Sequence, residues 1–385
     1  MTSVPSDATF MKRALSLAAK GKGRTSPNPM VGAVIVRHGH IVGEAYHRQP
    51  GEPHAEILAL HQAGPRARGG VLYVTLEPCC HTNKRTPPCV PLLIQSGLAR
   101  VCVAMIDPNP QVNGRGIHAL KKANLPVSVG VLENEARHLN EVYGYWITSG
   151  RPFVILKGAM TLDGKIASST GESRWITGEP ARQDAHRLRS QVDAVMVGAG
   201  TVLADDPELS ARGKKSTTRE RVGRQPVRVV LDSHLRIPLH AKILQWVGEQ
   251  PTILCTTRQA SPKKIKLLRE RGVQIRVFPA QAGMVSLRAC LSRLGKEGLT
   301  SLLLEGGSTV NASALQQGLV NQVKLYMAPT LLGGQDAKGL LGGRSPKNLD
   351  RAWPLTNCEF KKLGNDWVVT GAIGPRRKKH AQTTA

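Results

Sequence analysis

The stretch PHAEILALHQAGPRARGGVLYVTLEPCCHTNKRTPPC, residues 53–89, decides how the first half of the chain is read. Residues 53–63 carry a helical pattern that stops near Gly64-Pro65, and Val71 to Leu76 is an apolar run of the buried-strand type. His54 and Glu56 therefore stand at a helix start. Side chains there fan around the axis, so both can reach one point ahead of it. Pro78-Cys79 ends the strand run, and Cys89 follows Thr86-Pro87-Pro88. One imidazole and two thiolates suit zinc and leave a fourth position for water. Zinc lowers the pKa of that water, and Glu56 beside the ligands can shuttle a proton.

His-x-Glu followed by Pro-Cys on a strand–helix framework is the pattern of zinc deaminases, in which the carboxylate carries a proton from water to the departing ammonia. An amino-pyrimidine ring is the substrate class this chemistry suits. The second gap departs from the usual Cys-x-x-Cys, because nine residues separate Cys79 from Cys89. Cys80 and His81 are therefore rival ligands. Cys79 is favoured because it follows Pro78 directly at the end of the strand. A purely structural zinc would not need Glu56 beside its ligand. Upstream, Asn28 in Pro27-Asn28-Pro29 offers a donor and an acceptor suited to a heterocycle or its sugar, although Asn between prolines is also ordinary turn chemistry.

Outward from this stretch, residues 32–47 alternate as a hairpin with Arg37-His38-Gly39-His40 at the turn. Val101–Ile106 and Val127–Val131 are further strand runs. Asp7 caps an amphipathic first helix that ends at Gly21. The first half thus reads β-β-α-β-α-β, an α/β layered domain. Near Ser149-Gly150-Arg151-Pro152 the pattern restarts. Strands are expected at 153–160, 194–197, 227–231, 252–255, 273–278, 301–304, 323–327 and 367–370, with helices between several of them. This is a second α/β domain. The expected boundaries are 1–147, 148–373 and a basic disordered tail at 374–385.

The 385 residues carry 53 Lys and Arg against 27 Asp and Glu, a formal charge of +26. That excess suggests nucleic acid, but ten of the cations lie in two mobile-looking stretches. These are Arg212, Lys214, Lys215, Arg219, Arg221 and Arg224, and the tail residues Arg376 to Lys379. Such runs are usually solvated, and a positive field also concentrates phosphorylated small molecules. No apolar run reaches the roughly 18–20 residues that span a bilayer, and the first helix does not read as a signal peptide, so a cytoplasmic enzyme is expected. Of seven cysteines, Cys102, Cys255, Cys290 and Cys358 are scattered and read as small apolar residues rather than a disulfide framework.

The second half lacks Gly-x-Gly-x-x-Gly, which argues against a Rossmann domain. Glu305-Gly306-Gly307-Ser308-Thr309 nevertheless follows a strand and opens a helix, as does Gly198-Ala199-Gly200-Thr201. Glycines there let backbone N–H groups approach a phosphate. Asp205-Asp206-Pro207 is a further polar corner, and Lys157 ends a strand run just before Asp163-Gly164.

Together these stretches resemble the bifunctional deaminase–reductase family of riboflavin biosynthesis, over roughly residues 8–370. The resemblance rests on Pro27-Asn28-Pro29-x-Val31-Gly32, His54-Ala55-Glu56, Thr75-Leu76-Glu77-Pro78-Cys79, Thr86-Pro87-Pro88-Cys89 and Asp107-Pro108-Asn109-Pro110. In the second half it rests on Leu162-Asp163-Gly164-Lys165, Gly171-Glu172-Ser173-x-Trp175-Ile176-Thr177, Thr201 to Pro207, Leu231-Asp232-Ser233 and Glu305-Gly306-Gly307. It implies a cytidine-deaminase-like domain followed by a dihydrofolate-reductase-like domain. The first would hydrolyse the 2-amino group of a diamino-ribosylamino-pyrimidinone 5′-phosphate, and the second would reduce the ribosyl group with NADPH.

The resemblance makes His54, Cys79 and Cys89 zinc ligands and Glu56 the proton shuttle. It places Ser173, Arg189, Leu209, Arg212 and Glu305 on substrate, with Arg189 and Arg212 chemically able to hold the phosphate. Ala159, Trp175, Thr201, Asp205, Ser233 and the turn Gly307, Ser308, Thr309, Val310, Asn311, Ala312, Ser313 match NADPH positions, and Lys157 an acid/base lysine. It also implies a homo-oligomer, a dimer first of all, with no membrane and no specific nucleic acid. The family has eight residues between its two cysteine ligands. Cys80 with Cys89 would restore that number, whereas the Glu77-Pro78-Cys79 match places the extra residue within 81–85. Residues 213–224 look like an inserted loop.

Two other readings remain. A deaminase editing a base in transfer RNA would share the zinc chemistry and use the charge, but leaves the reductase-like half without a role. A basic binding protein with structural zinc leaves Glu56 without one.

Overall fold

The computed structural model describes residues 6–82, 86–212 and 224–376. Most of the basic run expected as an inserted loop and the tail beyond 376 lie outside the described residues. The chain forms two compact units, Met1–Arg151 and Pro152–Ala385.

The first unit is a five-stranded sheet in the order β2-β1-β3-β4-β5, from β1 (Gly32–Arg37), β2 (His40–Tyr46), β3 (Val71–Val74), β4 (Arg100–Val103) and β5 (Val127–Val129). β1 pairs antiparallel with β2 and β3, and β3, β4 and β5 run parallel. β1 is buried because both its faces are covered. Ala33 and Ile35 point into one core with Ala55, Ala59 and Ala63 of α2 (Ala55–Ala63), while Val34 and Val36 point into the other with Phe10, Met11 and Ala14 of α1 (Asp7–Ala18). This is the period-2 alternation of a strand between two layers. Gly32 permits the close approach of α1: a Cβ there would meet Ala14 O at 2.0 Å. The hairpin turns at His38 and Gly39, both at positive φ, as two-residue turns require. Helices α3 (Cys89–Gln95), α4 (Arg115–Lys122), α5 (Glu133–Leu139) and α6 (Glu141–Ser149) complete the layers. Asp7 is not the cap expected. Ser6 holds the cap position, and the Asp7 carboxylate instead accepts from Tyr73 Oη at 2.7 Å and pairs with Arg100.

In the second unit the main strands are β6 (Phe153–Thr161), β8 (Ala194–Gly198), β9 (Val227–Leu231), β10 (Thr252–Thr256), β11 (Gln274–Val277), β14 (Ser301–Leu304), β15 (Gln322–Ala328), β17 (Leu355–Leu363) and β18 (Asp366–Ile373). Two short antiparallel pairs join β7 (Lys165–Ala167) to β16 (Lys338–Gly339), and β12 (Ala280–Gln281) to β13 (Met284–Val285). The nine-stranded order is β11-β10-β9-β8-β14-β6-β15-β18-β17. The first seven positions are parallel, and β18 and β17 close the edge antiparallel. Parallel strands are covered on both faces, which is why they appear in the sequence as unbroken apolar runs. Helices α7 (Glu179–Arg189), α8 (Ala199–Asp205), α9 (Pro262–Glu270), α10 (Leu287–Lys296) and α11 (Ser308–Gln316) provide cover. β17 was not expected, because almost all its residues are exposed and it carries no apolar alternation. At the expected start of the tail, Gly374 N–H still donates to Pro354 O at 2.8 Å.

Candidate active sites

In the first unit the two helix starts and the end of β3 meet. His54 caps α2, Cys89 opens α3, and Cys79 follows the strand. His54 Nδ1 lies 3.4 Å from Cys79 Sγ and 3.3 Å from Cys89 Sγ, and the sulfurs are 3.5 Å apart. A tetrahedral zinc with bonds of about 2.0–2.3 Å asks for ligand separations of roughly 3.5–3.8 Å, so the donor set fits the ion. His54 Nε2 meets Thr86 Oγ1 at 3.0 Å, which leaves Nδ1 for the metal side. The Cys89 N–H reaches both Cys79 Sγ and Cys79 O, so the start of α3 faces the sulfur. Positive helix ends favour thiolate. Cys80 is not among the three converging donors, and burial, with Glu77 next, raises its thiol pKa.

Glu56, 3 % exposed, sits in the first turn of α2. Burial raises its pKa foremost, His54 opposes, and Cys79 raises it further. Its Oε2 has no hydrogen-bond partner, a buried acceptor that fits a water held by the neighbouring metal ligands. A cavity of about 440 Å³ opens in front, lined by Asn28, His47, His54, Glu56, Cys79, Thr86, Asp107 and Asn109 among others, a size typical of small-molecule sites. Asn28 Nδ2 donates to His47 Nε2 at 3.0 Å. His47 and Asp107 were missed as site residues. Asp107 is pushed up to about 6 by burial, against hydrogen bonds from Asn109 N–H and Tyr143 Oη. The Asp107-Pro108-Asn109-Pro110 motif was the available signal for Asp107, and nothing in the pattern marks His47.

In the second unit the sites lie at the carboxyl ends of parallel strands, where open α/β sheets bind ligands. One cavity of about 480 Å³ is lined by Lys157, Ala159, Ser173, Trp175, His186, Arg189, Leu209, Arg212, Glu305 and Asn311, with others. A second, of about 450 Å³, is lined by Gly198, Gly200, Ser233, His234, Arg236, Ser308, Thr309, Val310 and Ser313, with others. Ser173, Thr201, Asp205 and Gly307 line both. All five expected substrate residues line the first. Among expected dinucleotide residues, Ala159, Trp175 and Asn311 line only the first. Ala312 lines neither and is buried in α11. The second cavity fits a dinucleotide, since glycine loops precede α8 and α11. A Cβ at Gly198 would stand 2.9 Å from Val310, and one at Gly306 would stand 3.0 Å from it. Asn311 Oδ1 is buried without a partner.

Arg189 Nε and Nη2 bond Glu305 Oε1 and Oε2 at 2.7 and 2.9 Å, and its Nη1 donates to Ser210 O at 3.1 Å. Arg189 was read as able to hold a phosphate, but its fork is already engaged by a carboxylate of matching geometry. Arg212 is exposed and pairs with Glu208 within the same irregular segment. Lys157 Nζ lies 3.7 Å from Glu305 Oε2. Burial works to raise the Glu305 carboxyl, but Arg189 and then Lys157 outweigh it and hold it at about 2. Burial lowers the Lys157 pKa, with Glu305 opposing. His186, also missed, donates from Nδ1 to Ser210 O, and burial and then Arg189 bring it down to about 4.

Residues 4–105 match the cytidine and deoxycytidylate deaminase zinc-binding region, and residues 152–369 match the RibD C-terminal domain. The chain is 44% identical over 363 residues to the riboflavin biosynthesis protein RibD of Actinobacillus pleuropneumoniae, covering 94% of each. It is 43% identical over 370 residues to that of Escherichia coli, covering 94% of this chain and 97% of the relative. Among solved structures, Acinetobacter baumannii RibD superposes with a TM-score of 0.86 at 36% identity, over 96% of this chain and 99% of that one. A Thermotoga maritima diaminohydroxyphosphoribosylaminopyrimidine deaminase/5-amino-6-(5-phosphoribosylamino)uracil reductase gives 0.80 at 35%, with the same coverage.

Proposed function

The chain belongs to the RibD family, the bifunctional deaminase–reductases of riboflavin biosynthesis, and from that premise we propose which residues carry each reaction. It is a deaminase in a cytidine-deaminase-like domain and an NADP-dependent reductase in a dihydrofolate-reductase-like domain. We assign these to the first and second units, with the expected 147/148 boundary moved to Arg151/Pro152 because α6 runs on to Ser149.

The deaminase substrate is 2,5-diamino-6-ribosylamino-4(3H)-pyrimidinone 5′-phosphate. His54, Cys79 and Cys89 would hold zinc, which supplies the Lewis acidity that makes water a competent nucleophile near neutral pH. Glu56 moves the proton: buried beside the attack point, it takes one from the water and delivers it to the leaving amine. Asn28, set by His47, orients the ring. One observation carries this reading. Three metal-type donors converge within 4.8 Å beside a buried carboxylate oxygen that lacks a partner.

The reductase substrate is 5-amino-6-(5-phosphoribosylamino)uracil, and NADPH supplies the hydride. Glu305, fixed by Arg189, meets the sugar hydroxyls with Ser173 and the Leu209 backbone. Arg212 takes the phosphate, and Lys157 handles the proton at the reducing end. The glycine loops before α8 and α11 take the dinucleotide phosphates, with Ser233 at the far wall. No helix among the described residues is long and apolar enough to cross a membrane. A cytoplasmic homodimer completes the proposal.

The test supplies the diamino-pyrimidinone phosphate and NADPH, and follows ammonia and NADPH separately. A chelator should stop ammonia release yet leave NADPH oxidation intact when the deaminated substrate is supplied. Chelator-resistant deamination would overturn the zinc assignment.

A further inference from the structure

Part of the cavity wall is a loop that belongs to no helix or strand. Residues 104–114 join β4 to α4 and carry Asp107, Asn109 and Val112 into the cavity. Two side chains from outside the loop hold it: Tyr143 Oη donates to the Asp107 carboxylate at 3.0 Å, and Glu77 takes the backbone. Glu77, 3 % exposed, accepts four backbone N–H groups: Asp107 at 3.2 Å and Gly114 at 2.8 Å on Oε2, Gly116 at 2.9 Å and Ile117 at 3.2 Å on Oε1. Its own N–H donates to Met105 O at 3.0 Å. The contact is tight, since a Cβ on Gly116 would come within 2.1 Å of Pro78 O. Glu77 lies two residues before Cys79.

We propose that Glu77 is a positioning residue for the deamination, clamping the substrate-facing loop to the segment that carries the Cys79 thiolate. The clamp rests on the deaminase reading of this cavity. A carboxylate has about four acceptor positions and no donor, and here each oxygen serves two N–H groups. Glutamine keeps the shape but turns an NH2 group toward one of the two pairs, so it can satisfy only half the clamp. Releasing Asp107 and Gly114, or Gly116 and Ile117, shifts the wall relative to the point of attack. A misplacement of about 1 Å can cost on the order of a hundredfold in rate.

The experiment uses the full-length chain with Glu77→Gln and, separately, Gly116→Ala, which keeps the carboxylate but wedges a Cβ between Pro78 O and Glu77 Oε1, at 2.1 and 3.2 Å. Hydrogen exchange is read on the 107–117 segment, zinc by elemental analysis, and NADPH oxidation with deaminated substrate as a folding control. In both variants the segment should exchange faster, zinc and reductase turnover should persist, and deaminase kcat/KM should fall about ten- to a hundredfold, chiefly through KM. Unchanged exchange and kinetics in Glu77→Gln would overturn the clamp, as would loss of zinc with KM unaltered. A parent enzyme that releases no ammonia would instead overturn the deaminase reading, and the clamp with it.

Discussion

Arg189 and Glu305 meet as a two-pronged pair, Nε to Oε1 at 2.7 Å and Nη2 to Oε2 at 2.9 Å, with Lys157 beside the second oxygen. The arginine ends α7 and the glutamate follows β14, so the pair ties a helix to the heart of the sheet. Removing Arg189 leaves the buried Glu305 carboxylate to Lys157 alone, at 3.7 Å, and breaking a buried pair costs about 3–5 kcal/mol. Arg189→Ala should lower stability by that order in denaturant titrations and cut reductase turnover at least ~100-fold. Retention of both would show that the pair is idle.

The same pair predicts acid sensitivity. The Glu305 carboxyl at about 2 lies below its ordinary 4.5. Its stabilising contribution is therefore complete above pH 4.5 and is lost as pH falls through about 2. His186 adds to this from a different range. Its folded value of about 4 lies below the ordinary 6.5, so the unfolded chain takes up a proton first as pH falls from 6.5 toward 4. His186→Gln should flatten the loss of stability between pH 6.5 and 4 in thermal melts at stepped pH. An unaltered slope there would count against a neutral His186.

Lys157 tests the reductase chemistry. Burial lowers its pKa, so a proton it donates is lost at a pH below the ordinary lysine value of 10.5. Reductase kcat/KM should fall on the alkaline side along a limb set below 10.5. Lys157→Met should remove that limb together with most of the activity, while ammonia release continues. A variant with the parent's pH profile would exclude Lys157 from the proton transfer.

The parts of this architecture that were legible in the sequence are those where one local pattern has one structural solution. Val227 to Leu231 and Ser301 to Leu304 are covered on both faces, and their apolar runs say so. β17 gave no such sign, because Thr356 to Lys362 are exposed and the strand is held by its ladder with β18. Pairing across the sheet order was equally hidden. Nothing local tells that Arg189 will face Glu305, 116 residues away, rather than a phosphate. His47 and His186 stand outside any motif or ligand spacing and become visible only once a cavity has walls, whereas Asp107 had its motif but no role until Tyr143 and the cavity gave it a setting. The two adjacent cysteines show the limit most sharply, since spacing counts residues while ligation depends on direction.

That last ambiguity has its own test. Cys79 Sγ lies 3.4 Å from His54 Nδ1 and 3.5 Å from Cys89 Sγ, while Cys80 is not among the three converging donors. Cys79→Ser should therefore lose stoichiometric zinc and deaminase activity while reductase turnover persists. Cys80→Ser should keep zinc and most deamination, with at most the stability loss of a polar atom placed against apolar neighbours. Metal analysis of the two purified variants decides between them: zinc lost from Cys80→Ser and kept in Cys79→Ser would move the ligand by one residue and restore the family's eight-residue spacing to Cys89.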